Sequence, residues 1–152
     1  MLDSENELEV QSLIGQALVR LATNRGLEAV LRRLISRGAE VNSFDTFGRA
    51  PLHRAVADQS ERIVDLLLKS GAEVNILEYG DPILGFSPLV QAIETGNASI
   101  INRLLEAGAE VTPQVITAAT QAGDDSITKR LVALVPNFEL GPTINLLQNP
   151  AV

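Results

Sequence analysis

Three stretches of this chain close in nearly the same words: Gly38-Ala39-Glu40-Val41-Asn42, Gly71-Ala72-Glu73-Val74-Asn75 and Gly108-Ala109-Glu110-Val111-Thr112. Gly38 and Gly71 lie 33 residues apart, Gly71 and Gly108 lie 37 apart. A recurrence of that period marks a repeat architecture. In such a fold no unit buries its apolar face alone, so neighbours stack, and function falls to the extended surface that the stack creates.

The middle unit states the pattern most clearly. Pro51 suits the first turn of a helix, where its missing N–H is not needed and its φ is already helical. Leu52, Ala55 and Val56 follow at i, i+3, i+4 and define one apolar face; Ile63, Val64, Leu67 and Leu68 repeat that spacing in a second helix. Gly71 stands where a left-handed residue would close that helix. The next unit matches with Pro88, Leu89, Ala92, Ile93, then Ile100, Ile101, Leu104 and Leu105 before Gly108. From Pro to closing Gly the two units have equal length, so the four extra residues of the later one lie in the connecting loop. Flanking units are looser: Val19, Ala22, Val30, Leu31, Leu34 and Ile35 on one side, Ile116, Ala119, Ile127, Leu131 and Val132 on the other. A small residue recurs between paired helices (Ala22, Ala55, Ala92, Ala119), as expected where backbones approach closely.

The stretch Asp45–Asn75, with its Asp, Gly48, Pro51-Leu52-His53, Leu67-Leu68 and Gly71-Ala72-Glu73-Val74-Asn75, resembles an ankyrin repeat. Residues 87–112 match it with Ser87-Pro88-Leu89-Val90, and residues 16–42 and 113–135 resemble degenerate flanking repeats, so the likeness covers about 16–135. Ala50, Gln59 and Ser60 depart from the family pattern. The resemblance implies an all-α, helix–turn–helix solenoid with short β-hairpin fingers, in units of about 5–43, 44–76, 77–112 and 113–135. Residues 1–135 then form the repeat domain and 136–152 a C-terminal tail or truncated capping unit, in which Ile144–Leu147 either packs as one short helix on the last repeat or frays. Both ends read as caps. Ser4-Glu5-Asn6-Glu7 forms a capping box, and Leu8, Leu13, Ile14, Ala17, Leu18 and Leu21 carry the first helix from about residue 5 to Asn24.

Composition narrows function. There is no Cys, which excludes disulfides, thiolate metal sites and Cys nucleophiles and fits a reducing compartment. The acidic N-terminus is no secretory signal, and no run approaches the roughly 20 apolar residues that span a bilayer. The formal net charge of −7 argues against a nucleic-acid partner. Residues 1–37 are net zero, 38–75 net −2, 76–112 net −4 and 113–152 net −1. A soluble cytoplasmic protein is expected, and a monomer.

Chemistry is sparse. His53 is the sole histidine and reads as a structural residue of the Pro-Leu-His turn, bonded to nearby backbone. One His without Cys does not make a usual zinc site, and Ser and Thr lack a second His as base. Asp124-Asp125 falls at a helix start, where acids complement the dipole. No catalytic residue, metal or cofactor is expected.

The aromatics are more informative. Four of the five (Phe44, Phe47, Tyr79, Phe86) fall in the two inter-repeat loops. In ankyrin-like proteins these fingers, with the first helices, line a concave binding face. Aromatic residues are enriched at binding hot spots, so the rings read either as anchors for a partner or as covers over the repeat junctions. The expected function is a non-enzymatic protein-binding module: an adaptor, inhibitor or regulatory subunit. Its site comprises Phe44, Thr46, Phe47 and Arg49 on the first finger and Glu78, Tyr79, Asp81, Leu84 and Phe86 on the second. Asp58 and Glu94 join from the first helices, alongside Asn24, Arg25, Ala57, Thr95 and Gln121. The excess of acids suggests a partner protein with a basic patch. The alternatives are a self-associating structural solenoid, and an enzyme with an unrecognised carboxylate site.

Overall fold

The computed structural model describes residues 4–80 and 85–135. They form α1 (Ser4–Asn24), α2 (Glu28–Ser36), α3 (Pro51–Ala57), α4 (Glu61–Lys69), α5 (Pro88–Thr95), α6 (Ala98–Glu106), α7 (Pro113–Ala122) and α8 (Asp125–Ala133), with a 3-10 turn at Glu78–Gly80. The fold class is all-α, and no strand occurs among the described residues. The fingers expected as β-hairpins are, in their described parts, closed by turns. The tail 136–152, with Ile144–Leu147, lies outside the described residues, and so does the Ser4 side chain of the expected capping box.

The chain divides into two compact units, Met1–Glu110 and Val111–Val152. In the first, α1, α3 and α5 pack side by side as one layer, α2, α4 and α6 as a second, and each helix packs on its sequence neighbour in the other layer. The layers meet through Val19, Ala22 and Leu31, then Leu52, Ala55, Val56, Ile63, Val64 and Leu67, then Leu89, Ala92, Ile93, Ile100, Ile101 and Leu104, all buried. Ala22, Ala55 and Ala92 are among them, as close helix packing requires. In α4 the buried neighbour is Leu66, while Leu68 is half-exposed.

Helix starts follow the prolines. Pro51 and Pro88 are the first residues of α3 and α5. The Ser87 hydroxyl accepts from the Val90 N–H, satisfying a free donor of the first turn. Ala50 has no such oxygen. There the ring of His53, in the position where a capping box carries Glu or Gln, accepts from the Ala50 N–H instead. Helix ends follow the glycines. Gly71 has φ +89°, and the Ala72 N–H reaches back to the Leu67 carbonyl at 3.0 Å, which closes α4 in a Schellman turn.

The last letter of the first two repeated phrases ties one unit to the next. The Asn42 amide donates to the Gly71 carbonyl (3.3 Å) and accepts from the Glu73 N–H (2.9 Å). Asn75 does the same to Gly108 (3.3 Å) and Glu110 (2.8 Å). An amide side chain carries both a donor and an acceptor, so one residue satisfies two backbone groups of the following turn. Arg103 adds a link from α6 to α4 through Asp65 and through Glu61 at 3.0 Å.

The second unit is a helix pair. Pro113 opens α7 behind Thr112, whose hydroxyl accepts from the Val115 N–H. Asp124 caps α8 by accepting from the Ile127 N–H at 2.9 Å. Val115, Ile116, Ala118, Ala119, Thr128 and Leu131 are buried. No described helix is long and apolar enough to cross a membrane.

Candidate functional site

The first finger is built around one carboxylate. Asp45 Oδ1 accepts from the N–H groups of Phe47 (2.8 Å) and Arg49 (2.9 Å). Its own N–H donates to the Arg49 carbonyl, and its carbonyl accepts from the Gly48 N–H. This is an Asx turn, in which an aspartate replaces backbone partners the loop would otherwise lack. The Arg49 guanidinium lies 3.5 Å from Asp45 Oδ2 and 5.2 Å from the centre of the Phe47 ring. This cation–π contact engages Phe47 although the residue is 64% exposed.

The second finger leans on the first. The Tyr79 N–H donates to the Gly48 carbonyl at 2.7 Å, and the Tyr79 ring lies directly over Gly48. A Cβ on residue 48 would sit 2.2 Å from that ring, so glycine is required there both by contact and by its φ of +69°. Tyr79 itself has φ +56°, a left-handed conformation rarely adopted by a bulky residue, and its side chain remains 68% exposed. The finger base closes where the Glu78 N–H donates to the Phe86 carbonyl.

His53 anchors that base from below. It is fully buried in α3; Nδ1 accepts from Ala50, so Nε2–H donates to the Phe86 carbonyl at 2.9 Å. Burial lowers its pKa from 6.5, against the opposing pull of the Phe86 carbonyl. The Glu78 carboxyl shifts the other way. Its pKa is raised, first by burial, then by Asp45 and Glu94 nearby, with Arg49 opposing.

The structure thus brings Phe47, Arg49, Glu78, Tyr79 and Glu94 together around Asp45 and Gly48. Phe44 and Phe86 are exposed beside them, less fully than Phe47 and Tyr79, and Thr46 is exposed at the finger tip. Asp58 is placed apart, at the end of α3, engaged by Arg54 at 2.8 Å. Gln121 is exposed in the second unit. Asp81 and Leu84 lie outside the described residues. The expected site did not include the two organisers, Asp45 and Gly48, whose signal is the Asp-x-x-Gly spacing of an Asx turn. Among the described residues no three His, Asp or Glu side chains group so as to hold a metal ion.

Comparison with known proteins agrees with this architecture. The family described as Ankyrin repeats (3 copies) matches residues 2–78 and 18–115. The chain belongs to the ankyrin repeat family. It is 38% identical over 74 residues to the B-cell lymphoma 3 protein homolog of Mus musculus, covering 48% of this chain and 16% of that protein. It is 34% identical over 71 residues to the NF-kappa-B inhibitor cactus of Drosophila melanogaster, covering 46% and 14%. With the ankyrin repeat domain-containing protein 37 of Bos taurus it shares 38% over 61 residues, covering 40% and 39%. The matched segment is therefore a minor part of each of these relatives.

Proposed function

We propose that this chain is a non-enzymatic protein-binding module that engages its partner through the two fingers. The observation that carries this reading is the pair Phe47 and Tyr79. Both rings are about two-thirds exposed, yet each is fixed by specific contacts, Arg49 for one and Gly48 for the other. Rigid exposed aromatics lose little side-chain entropy on binding, which is what an interface anchor needs. A positive patch suits the surroundings. Asp45 is committed to Arg49, but Glu78 carries a charge disfavoured by burial and by neighbouring acids, and an incoming cation would relieve it. The name of cactus, an NF-kappa-B inhibitor, supports a regulatory role of this kind.

Affinity capture on the wild-type chain and on Phe47→Ala/Tyr79→Ala, read by quantitative mass spectrometry, tests this. A partner lost by at least tenfold in the variant, with an unchanged melting temperature, is expected. A partner retained by the variant would sink the assignment.

A further inference from the structure

The first helix carries a second apolar face that nothing in the described chain covers. Val19, Ala22 and Thr23 are the buried residues of α1, which packs on α2 and α3. On the opposite side Val10, Leu13, Ile14, Ala17, Leu18 and Leu21 recur at i, i+3, i+4, i+7, i+8, i+11, the spacing of a continuous helical stripe. All six are exposed, Leu13, Ile14 and Leu21 by 57%, 53% and 51%. Leu27, just before α2, and Val30 within it are also exposed, and Val30 lines a shallow groove with Ala29, Arg33, Leu34 and Arg37. A contiguous apolar stripe of this size, exposed along one helix, is a surface that binds something.

The geometry points to a second copy of this chain as the occupant, with the two α1 helices packed antiparallel about a two-fold axis. The stripe is self-complementary in that register: Val10 faces Leu21, Leu13 faces Leu18 and Ile14 faces Ala17 of the other copy. The flanking charges choose the same orientation. Glu7 and Glu9 sit at the N-terminal end of the stripe, Arg20 and Arg25 at the C-terminal end, so antiparallel packing sets acids beside bases while parallel packing sets like beside like. Glu7, Glu9 and Arg25 are exposed and form no ion pair among the described residues. Residues 1–37 hold five acids and five bases, so this is the unit least opposed by the chain's net charge of −7.

The test is sedimentation of the whole chain across a micromolar concentration range. The expected mass rises from 16.3 kDa toward twice that value. Ile14→Glu/Leu18→Glu should remain folded by circular dichroism and weaken dimerisation at least tenfold. The charge-reversed chains Glu7→Arg/Glu9→Arg and Arg20→Glu/Arg25→Glu should each dimerise poorly alone and recover the wild-type affinity when mixed. A wild-type monomer at all concentrations overturns the proposal. So does a dimer indifferent to the Ile14/Leu18 change, which would place the contact elsewhere. A monomer that pellets with anionic lipid vesicles would assign the stripe to a membrane surface instead.

Discussion

Helices α1 and α3 hold equivalent places in successive units, yet they use their apolar residues in opposite ways. α3 is seven residues long and buries Pro51, Leu52, His53, Ala55 and Val56. α1 is 21 residues long, and most of its large aliphatic side chains are exposed. The difference is one of neighbours rather than of sequence character. Among the described residues α3 has a helix of its own layer on each side, α1 on one side only. An apolar stripe at helical spacing therefore identifies a surface that is to be covered, without saying whether this chain does the covering.

Truncation tests that contrast most severely. Leu67→Ala, in the fully buried α4 face, should cost about 2–5 kcal/mol in denaturant unfolding, through lost transfer energy and a residual cavity. Leu18→Ala, measured on protein dilute enough to be monomeric, should change stability by no more than about 0.5 kcal/mol. Equal losses at the two positions would mean that the α1 stripe is packed.

His53 sharpens the comparison from the polar side. Its ring joins α3 to the second finger, and His53→Gln, which can still accept from the Ala50 N–H, should cost about 1–3 kcal/mol by removing the buried donor to the Phe86 carbonyl. It also makes stability depend on pH. The folded pKa is lowered, so as pH falls the unfolded chain takes up this proton first. The contribution is intact above pH 6.5 and is lost as pH drops below it toward the folded value. Wild type should lose stability over that window relative to His53→Gln, since protonation removes the acceptor that Ala50 uses. Glu78 acts in the opposite sense and lower, gaining stability on protonation, because its folded pKa is raised from 4.5. A difference between the two proteins that is flat from pH 7 to 5 would contradict the assigned role.

The smallest effect concerns the inter-helix turn. Gly26, Gly96 and Gly123 adopt positive φ there, and Gln59 does so at +54° in the middle unit. A side chain in that conformation costs about 1–2 kcal/mol, offset in part by the greater entropy of an unfolded glycine. Gln59→Gly should therefore stabilise the protein by about 0.5–1 kcal/mol, read as a higher urea midpoint at unchanged m-value. A lower midpoint would show that the Gln59 side chain makes a compensating contact.

Much of this architecture was legible because each helix announces itself locally. Pro51 and Pro88 are first helical residues as the sequence implied, and α1 does run to Asn24. Ala22, Ala55, Ala92 and Ala119 lie buried as their recurrence suggested. What could not be read depends on distant partners. Asn42 ends a phrase in sequence, but its amide works on groups 29 and 31 residues further on. The face of α1 was ambiguous because Val19 and Ala22 compete with six other apolar residues, most of them larger, and the position of α3 decides between them. In the candidate site, the finger aromatics were visible by composition. The Asx turn of Asp45 is local to the first finger and carried by its spacing, whereas the left-handed Tyr79 and its seat on Gly48 emerge only when both fingers are in place.

The asparagine clamps have a consequence for how such a chain changes over generations. Asn42 and Asn75 grip only main-chain atoms, a carbonyl and an N–H that any residue pair in that turn would present. The joint between units is thus blind to side-chain identity in the turn it holds. A duplicated unit would be accepted in register at once, provided it ended in asparagine and kept the glycine turn. Mutation could meanwhile rewrite the finger tips without loosening the joint. Length and binding surface can then drift independently, the first by copying whole units and the second by point substitution.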